Sequence, residues 1–166
     1  MTVLESERLL FRDHEPSDLD AYCEMEADPE VRRYVGGAPR PRDAADRKFQ
    51  AGLRRPESER LWMWATIYKP EGRYIGRCGV YPHFGTPGEG SLGFYLARAY
   101  WGRGLATEAG RTFVSFGFNE LSLSRIVTAV EIGNDASVRV LEKLGFALVR
   151  TEPGEYRSFY HFELLP

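Results

Sequence analysis

Cysteine is scarce in this chain of 166 residues: Cys23 and Cys78 are too few for a disulfide framework, so a reducing cytoplasm is the expected setting. No apolar run approaches a membrane span, and the N-terminus lacks a basic-then-apolar signal pattern, so no membrane partner is expected. Lysine is nearly absent, with only Lys48, Lys69 and Lys143 among the basic residues. A formal net charge of −2 argues against nucleic acid as the main partner. No Gly-Lys-Ser/Thr triplet occurs, which excludes a P-loop. Hydrophobic residues at 43% and charged residues at 28% suit a soluble globular protein with an adequate core. No repeat, linker or low-complexity segment divides the chain, so residues 1–166 read as one domain.

Apolar patterning gives alternating strands and helices. Leu9 to Arg12 opens as a strand, and Pro16-Ser17-Asp18 starts a helix with Leu19, Tyr22 and Met25 at helical spacing, which Gly36-Gly37 should end. Arg42 to Arg54 reads as a second helix. Trp62 to Tyr68 and Arg73 to Tyr81 read as strands joined by the turn Lys69 to Gly72. A strand over Ser91 to Leu96, a helix from Leu105 to about Phe118, a strand over Ser124 to Ile132 and a closing hairpin complete an α/β domain with a mixed sheet. Trp64, with its neighbour Trp62, and Cys78 read as core residues.

The segment Trp101-Gly102-Arg103-Gly104-Leu105-Ala106-Thr107-Glu108 joins the strand ending at Leu96 to the helix from Leu105. A strand that turns through glycines into a helix start presents unpaired N–H groups at the positive end of the helix dipole, an anion site suited to a pyrophosphate. A dinucleotide fingerprint would need a third glycine where Thr107 stands. A second segment, Asn134-Asp135-Ala136-Ser137-Val138-Arg139-Val140-Leu141-Glu142-Lys143-Leu144-Gly145-Phe146, reads as a helix with both ends marked. Asn134 is its N-cap, Asp135 and Lys143 match the dipole, and Gly145 fits the position after the last turn.

Together the two segments resemble the GNAT superfamily of acyl-CoA-dependent N-acetyltransferases, in the branch of the ribosomal-protein alanine and serine N-terminal acetyltransferases. Trp101-x-x-Gly104-x-Ala106 lies in register with the family's Q/R-x-x-G-x-G/A, with Trp101 in place of the usual Gln or Arg. The second segment is similar to N-x-x-S-x-x-V-L-E-K-L-G-F at every stated position. The resemblance implies a single-domain GNAT-like fold: a mixed, mostly antiparallel, splayed β-sheet flanked by helices. It implies acetyl-CoA as donor, without metal. The backbone of Phe94, Tyr95 and Leu96 is assigned to the pantetheine arm. Gly102, Arg103, Gly104, Leu105, Ala106 and Thr107 are assigned to the pyrophosphate, with Trp101, Asn134 and Ser137 also at the donor.

Acetyl transfer to an amine needs a neutral amine, a stabilised carbonyl oxygen, a leaving thiolate and alignment. Direct attack requires no covalent intermediate, so neither cysteine has to be a nucleophile. The matching serine in related enzymes makes Ser137 the candidate acid for the thiolate; a tyrosine used elsewhere falls at Leu141. Asn134 caps its helix, contacts the pantetheine arm, or does both. Glu89 is the first candidate base, with Glu131, His83, His161 and a water chain as alternatives, because the branch's usual glutamate falls at Ser91. Arg32, Arg33, Arg40, Arg42 and Arg47 border the acceptor helices and read either as solvated surface or as selectors of an acidic acceptor.

The expected function is acetyl transfer to a primary amine, first a protein N-terminal α-amine and otherwise a small-molecule amine such as an amino acid or antibiotic. The partner is that acceptor, and the protein is expected as a monomer or homodimer. A CoA-binding sensor without catalysis is the rival reading, and a nucleotide-binding protein the more distant one.

Overall fold

The computed structural model describes residues 4–54, 62–83 and 86–166, without the side chains of Trp62 and Pro82. Strands β1 (Leu4–Glu5) and β2 (Leu9–Arg12) lead into helices α1 (Leu19–Ala27), α2 (Pro29–Arg32) and α3 (Arg42–Leu53). Strands β3 (Trp62–Tyr68), β4 (Arg73–Pro82) and β5 (Glu89–Leu96) follow as a meander, and helix α4 (Leu105–Asn119) crosses to β6 (Arg125–Glu131). Helix α5 (Asp135–Leu144) then leads to the hairpin of β7 (Ala147–Glu152) and β8 (Phe159–Leu164). The described strands form one eight-stranded sheet in the order β1-β2-β3-β4-β5-β6-β8-β7. Only the β5–β6 pair is parallel among them, and α4 supplies the crossover that parallel strands need. The fold is the expected single-domain mixed sheet flanked by helices.

Strand periodicity sorts the core into two layers. On β3, Trp64 faces α4 while its neighbour Ala65 faces α1 and α3, because successive side chains point to opposite faces. The α4 face is built by Leu105, Ala109, Phe113 and Phe116, spaced for one side of a helix and all buried. Phe113 meets Phe11 edge-on at 4.8 Å and Trp64 at 5.8 Å. Burial of such a ring stabilises by about 2–3 kcal/mol. Cys78 is buried in the same core, as its surroundings in the sequence suggest.

The first helical stretch breaks earlier than the glycines predict. Pro29 has no N–H to continue α1, and the Asp28 carboxylate accepts from the Glu30 N–H at 2.8 Å, starting the separate turn α2.

The feature that positions the site is a split in the sheet. β5 and β6 pair only from Glu89–Ser91 against Arg125–Val127. Beyond Ser91 they part, while β6 stays paired with β8 as far as Glu131 against Phe159.

Candidate active site

The backbone of β5 forms one wall of the gap. Ala97 N–H donates to the Ile75 carbonyl at 2.7 Å, and a Cβ on Gly76 would come within 2.1 Å of the Tyr95 carbonyl oxygen. The odd-numbered residues at this end of β5 therefore turn their amides toward β4, and alternation leaves Phe94 and Leu96 presenting theirs to the gap. The Leu96 carbonyl already accepts from the Trp101 indole Nε1 at 2.7 Å. The sequence reading puts Tyr95 on the gap with its neighbours. The two-residue strand period instead sends its backbone to β4, and its ring lies on the α1 face with the Arg77 guanidinium 5.0 Å from the ring centroid.

The turn after β5 ends in a bare helix start. Gly102 and Gly104 have φ of 73° and 76°, a left-handed conformation that costs a residue with a Cβ about 1–2 kcal/mol. No side chain caps α4. Its first helical bond is Glu108 N–H to the Gly104 carbonyl at 3.0 Å. Among the described residues, none of the amides from Gly102 to Thr107 donates to a protein acceptor. A row of free N–H groups at a helix N-terminus fits a pyrophosphate.

Beside this turn lies a surface cavity of about 390 Å³, lined by Arg8, Gly104, Thr107, Arg111 and Lys143 among others. Glu108 fixes its rim, accepting from Ser6 Oγ at 2.6 Å and from the Arg8 N–H and Nε at 2.7 Å each. Burial pushes the Glu108 carboxyl up, but these hydrogen bonds outweigh it and hold its pKa below the usual range. Arg111 and Lys143 make no ion pair among the described residues. Sequence reasoning did not single out Arg8 or Arg111 for the site. The signal for Arg111 is its helical spacing from Thr107 and Gly104; the placement of Arg8 is set by tertiary contacts alone.

Asn134 and Ser137 stand across the gap, where β6 turns into α5. The Asn134 side chain accepts from the Ser137 backbone N–H at 3.3 Å, and Gly145 closes the helix at φ 87°. The cap thus uses the backbone of Ser137 and leaves its half-buried hydroxyl without a protein partner. Leu141 is fully buried in the main core, so no hydroxyl comes from that position.

The candidate bases are mostly engaged. Glu89 begins β5 and pairs with Arg125 at 2.8 Å, which also holds Glu163 at 3.1 Å. Glu131 pairs with Arg157, and His161 Nε2 lies 2.9 Å from Glu152. His83 is exposed beyond the end of β4; the rest of that loop includes residues 84 and 85, which lie outside the described residues.

The five arginines near the helices separate into two sets. Arg33, Arg42 and Arg47 make surface pairs with Glu30, Asp20 and Asp43. Arg32 and Arg40 turn inward and meet on Glu26 with a third arginine, Arg77.

Comparison with known proteins identifies the family and the fold. The family description "Acetyltransferase (GNAT) domain" matches residues 8–147. Uncharacterized N-acetyltransferase p20 of Bacillus licheniformis is 32% identical over 151 residues, covering 88% of this chain and 83% of that protein. A GNAT-family acetyltransferase from Bacillus anthracis superposes with a TM-score of 0.86 at 23% identity, over 99% of this chain and 98% of that one. Two further folds align at a TM-score of 0.80. One is the ribosomal-protein-S5-alanine acetyltransferase from Vibrio fischeri, at 18% identity over 99% and 97% of the chains. The other is the spermidine N-acetyltransferase from Vibrio cholerae in complex with CoA and spermine, at 16% identity over 96% of each. The chain belongs to the GNAT acetyltransferase family, whose members transfer an acetyl group from acetyl-CoA.

Proposed function

We propose that the protein acetylates a primary amine by direct attack on the acetyl-CoA thioester, in the gap between β5 and β6. The observation that carries this reading is the coincidence of three free groups around that gap. These are the Phe94 backbone groups with the Leu96 N–H on one wall, the amide row Gly102–Thr107 at its mouth, and the unpartnered Ser137 hydroxyl opposite. The parted strand aligns the pantetheine arm as an added strand would be aligned. The amide row holds the pyrophosphate, with Arg8, Arg111 and Lys143 beside it for the nucleotide end.

In the transfer a C–N bond forms and the C–S bond breaks. A β5 backbone N–H meets the charge that develops on the carbonyl oxygen, and the Ser137 hydroxyl passes a proton to the departing sulfur as it takes one from solvent. The amine gives its proton to solvent, because Glu89 and Glu131 are each held by an arginine. An α-amine with a pKa of about 8 is substantially neutral near pH 7. The acceptor we infer is a protein N-terminal α-amine; the Vibrio fischeri protein of the same fold is named for an alanine of a ribosomal protein.

Thermal unfolding with acetyl-CoA, CoA, ATP and NAD tests the donor. A ligand at about a hundred times its Kd adds roughly 2.7 kcal/mol of stability. A shift with acetyl-CoA and CoA alone supports the reading, and no shift with either removes it. Thiol release with an amine panel then separates an enzyme from a CoA-binding sensor.

A further inference from the structure

Glu26 lies on the inner face of α1 and is 1% exposed. Three guanidiniums surround it: Arg77 Nη2 at 2.7 Å from Oε1, with Arg40 Nε at 2.8 Å and Arg32 Nη1 at 3.3 Å from Oε2. Three positive charges meet one negative charge, so the cluster carries two charges that Glu26 does not balance. Lys48 on α3 adds to the excess: burial first, then the nearness of Arg77 and Arg40, lowers its pKa. Two other ion-paired arginines are matched by carboxylates: Arg12 by Asp18 at 2.7 Å, and Arg125 by two of them. Arg40 is 27% exposed, but Arg32 and Arg77 are buried. Charge there in excess of its counter-ion is unfavourable, and an anion from outside the chain would relieve it. Arg77 also keeps an unused donor, since it is 8% exposed and its Nη1 is buried without a hydrogen-bond partner.

The cluster sits beside the gap. Arg77 on β4 is opposite Tyr95 on β5, and Tyr95 lies between the two residues whose amides face the gap. The Tyr22 and Tyr95 rings each lie 5.0 Å from the Arg77 guanidinium. Arg32 and Arg40 bracket the loop between α2 and α3, which crosses to the opposite wall. There the Tyr34 hydroxyl donates to the Gly133 carbonyl at 3.0 Å, and Arg157 reaches the Arg33 carbonyl at 3.4 Å. The guanidiniums therefore stand at the foot of a strap that spans the acceptor side of the gap.

We propose that Arg32, Arg40 and Arg77 recognise an anionic group on the acceptor, so that the substrate is an amine carrying a carboxylate close to it. This rests on the acetyl-transfer reading above and deepens it. The carboxylate is either an acidic side chain near a peptide N-terminus or that of a small amino acid. A polycation such as spermidine is disfavoured by the same charges.

The test measures kcat/KM on the full chain for matched acceptors. One arm compares C-terminally amidated peptides beginning Ser-Glu and Ser-Gln; the other compares β-alanine with β-alaninamide; spermidine is run beside both. A charge-assisted contact should favour the acidic member of at least one pair by about tenfold or more, and the arm that shows it identifies the source of the carboxylate. In Arg40→Gln, and in Arg77→Lys where it melts like the parent, that ratio should fall to about one. Equal turnover within both pairs, or spermidine as the best acceptor, overturns the proposal and leaves the cluster as a staple for the strap. Turnover of no amine at all removes the acetyl-transfer reading and this inference with it. Turnover without preference removes this inference alone.

Discussion

The Trp101 indole Nε1 donates to the Leu96 carbonyl at 2.7 Å, closing the five-residue turn from the end of β5 toward the free amides of α4. The hydrogen bond consumes one of the backbone groups that face the gap and sets the angle between strand and helix start. Trp101→Phe keeps the ring but removes the donor. A hydrogen bond of about 1 kcal/mol is lost, so the Kd for CoA should rise about fivefold in calorimetric titration. An unchanged Kd would show that the turn keeps its shape without the indole.

Gly104 stands at φ 76° immediately before α4, and a Cβ there would meet only Arg8 Nη2, at an ordinary 3.7 Å. Space is not what requires glycine; backbone conformation is. Gly104→Ala should cost about 1 kcal/mol of stability, because relief of the strain turns the residue away from its left-handed position. The amide row then loses its alignment, and CoA affinity should fall by about tenfold or more. Denaturant unfolding and calorimetry on the same sample separate the two effects.

Asn134 and Ser137 differ in what their removal should do, although both lie at the start of α5. The cap bond uses the Asn134 side chain and the Ser137 backbone N–H. Asn134→Ala should therefore lower stability by about 1 kcal/mol. Ser137→Ala leaves that bond intact and should change stability by less than about 0.5 kcal/mol. If the hydroxyl protonates the leaving sulfur, Ser137→Ala lowers kcat by about a hundredfold. A parental kcat in a well-folded Ser137→Ala protein would assign the proton to water.

These contrasts show which parts of the site could be read in the sequence. The strand before the turn, the helix from Leu105 and the Asn134 cap were legible because each is set by local chemistry. Apolar period, glycine at positive φ and a side chain that reaches its own backbone all act within a few residues. The direction of the β5 amides was not legible, since it depends on which neighbour pairs with which residue, and the Tyr95 backbone turns toward β4 for that reason. The arginines show the limit most clearly. Arg32 and Arg33 are adjacent and chemically identical, yet one is buried on Glu26 and the other pairs with Glu30 on the surface. Their fates depend on the packing of α1 against β4, and Arg77 lies on a strand distant in sequence from both. The break at Asp28-Pro29 was written in the sequence but was outweighed by the apolar spacing of Leu19, Tyr22 and Met25.

Glu89 offers a separate test of how the amine loses its proton. Its carboxylate is held by Arg125 at 2.8 Å, at the end of β5 where the parallel pairing is intact rather than where the strands part. A base in that position would have to leave its ion pair to accept a proton. Glu89→Gln should lower stability only slightly, because the Arg125 side of the lost ion pair is screened by solvent, while the shape of the pH–rate profile stays as in the parent. A rate that falls selectively below pH 8 in the variant would instead make Glu89 the base.

His14 should govern the stability of the fold in mild acid. Its ring packs between Phe49 at 5.6 Å, Tyr74 at 5.9 Å and Tyr22 at 6.4 Å. Burial there lowers its pKa from 6.5 to about 4; Asp18 opposes the shift, and Arg77 and Arg12 add to it. Above pH 6.5 the imidazole is neutral in both folded and unfolded chains, and the shift has no effect on stability. As pH falls from 6.5 toward 4, the unfolded chain takes up a proton that the folded one refuses, so stability is lost through that window. A difference of about 2.5 pH units corresponds to roughly 3 kcal/mol by pH 4. His14→Phe removes the titration while keeping an aromatic ring in the layer, so its unfolding free energy should stay nearly flat from pH 6.5 to 5. Further acid should still destabilise the variant, because Glu26 has a lowered pKa despite its burial, owing to Arg77 and Arg40. Protonation of that carboxyl releases its arginines. Parallel decline of parent and variant between pH 6.5 and 5 would place the acid sensitivity elsewhere.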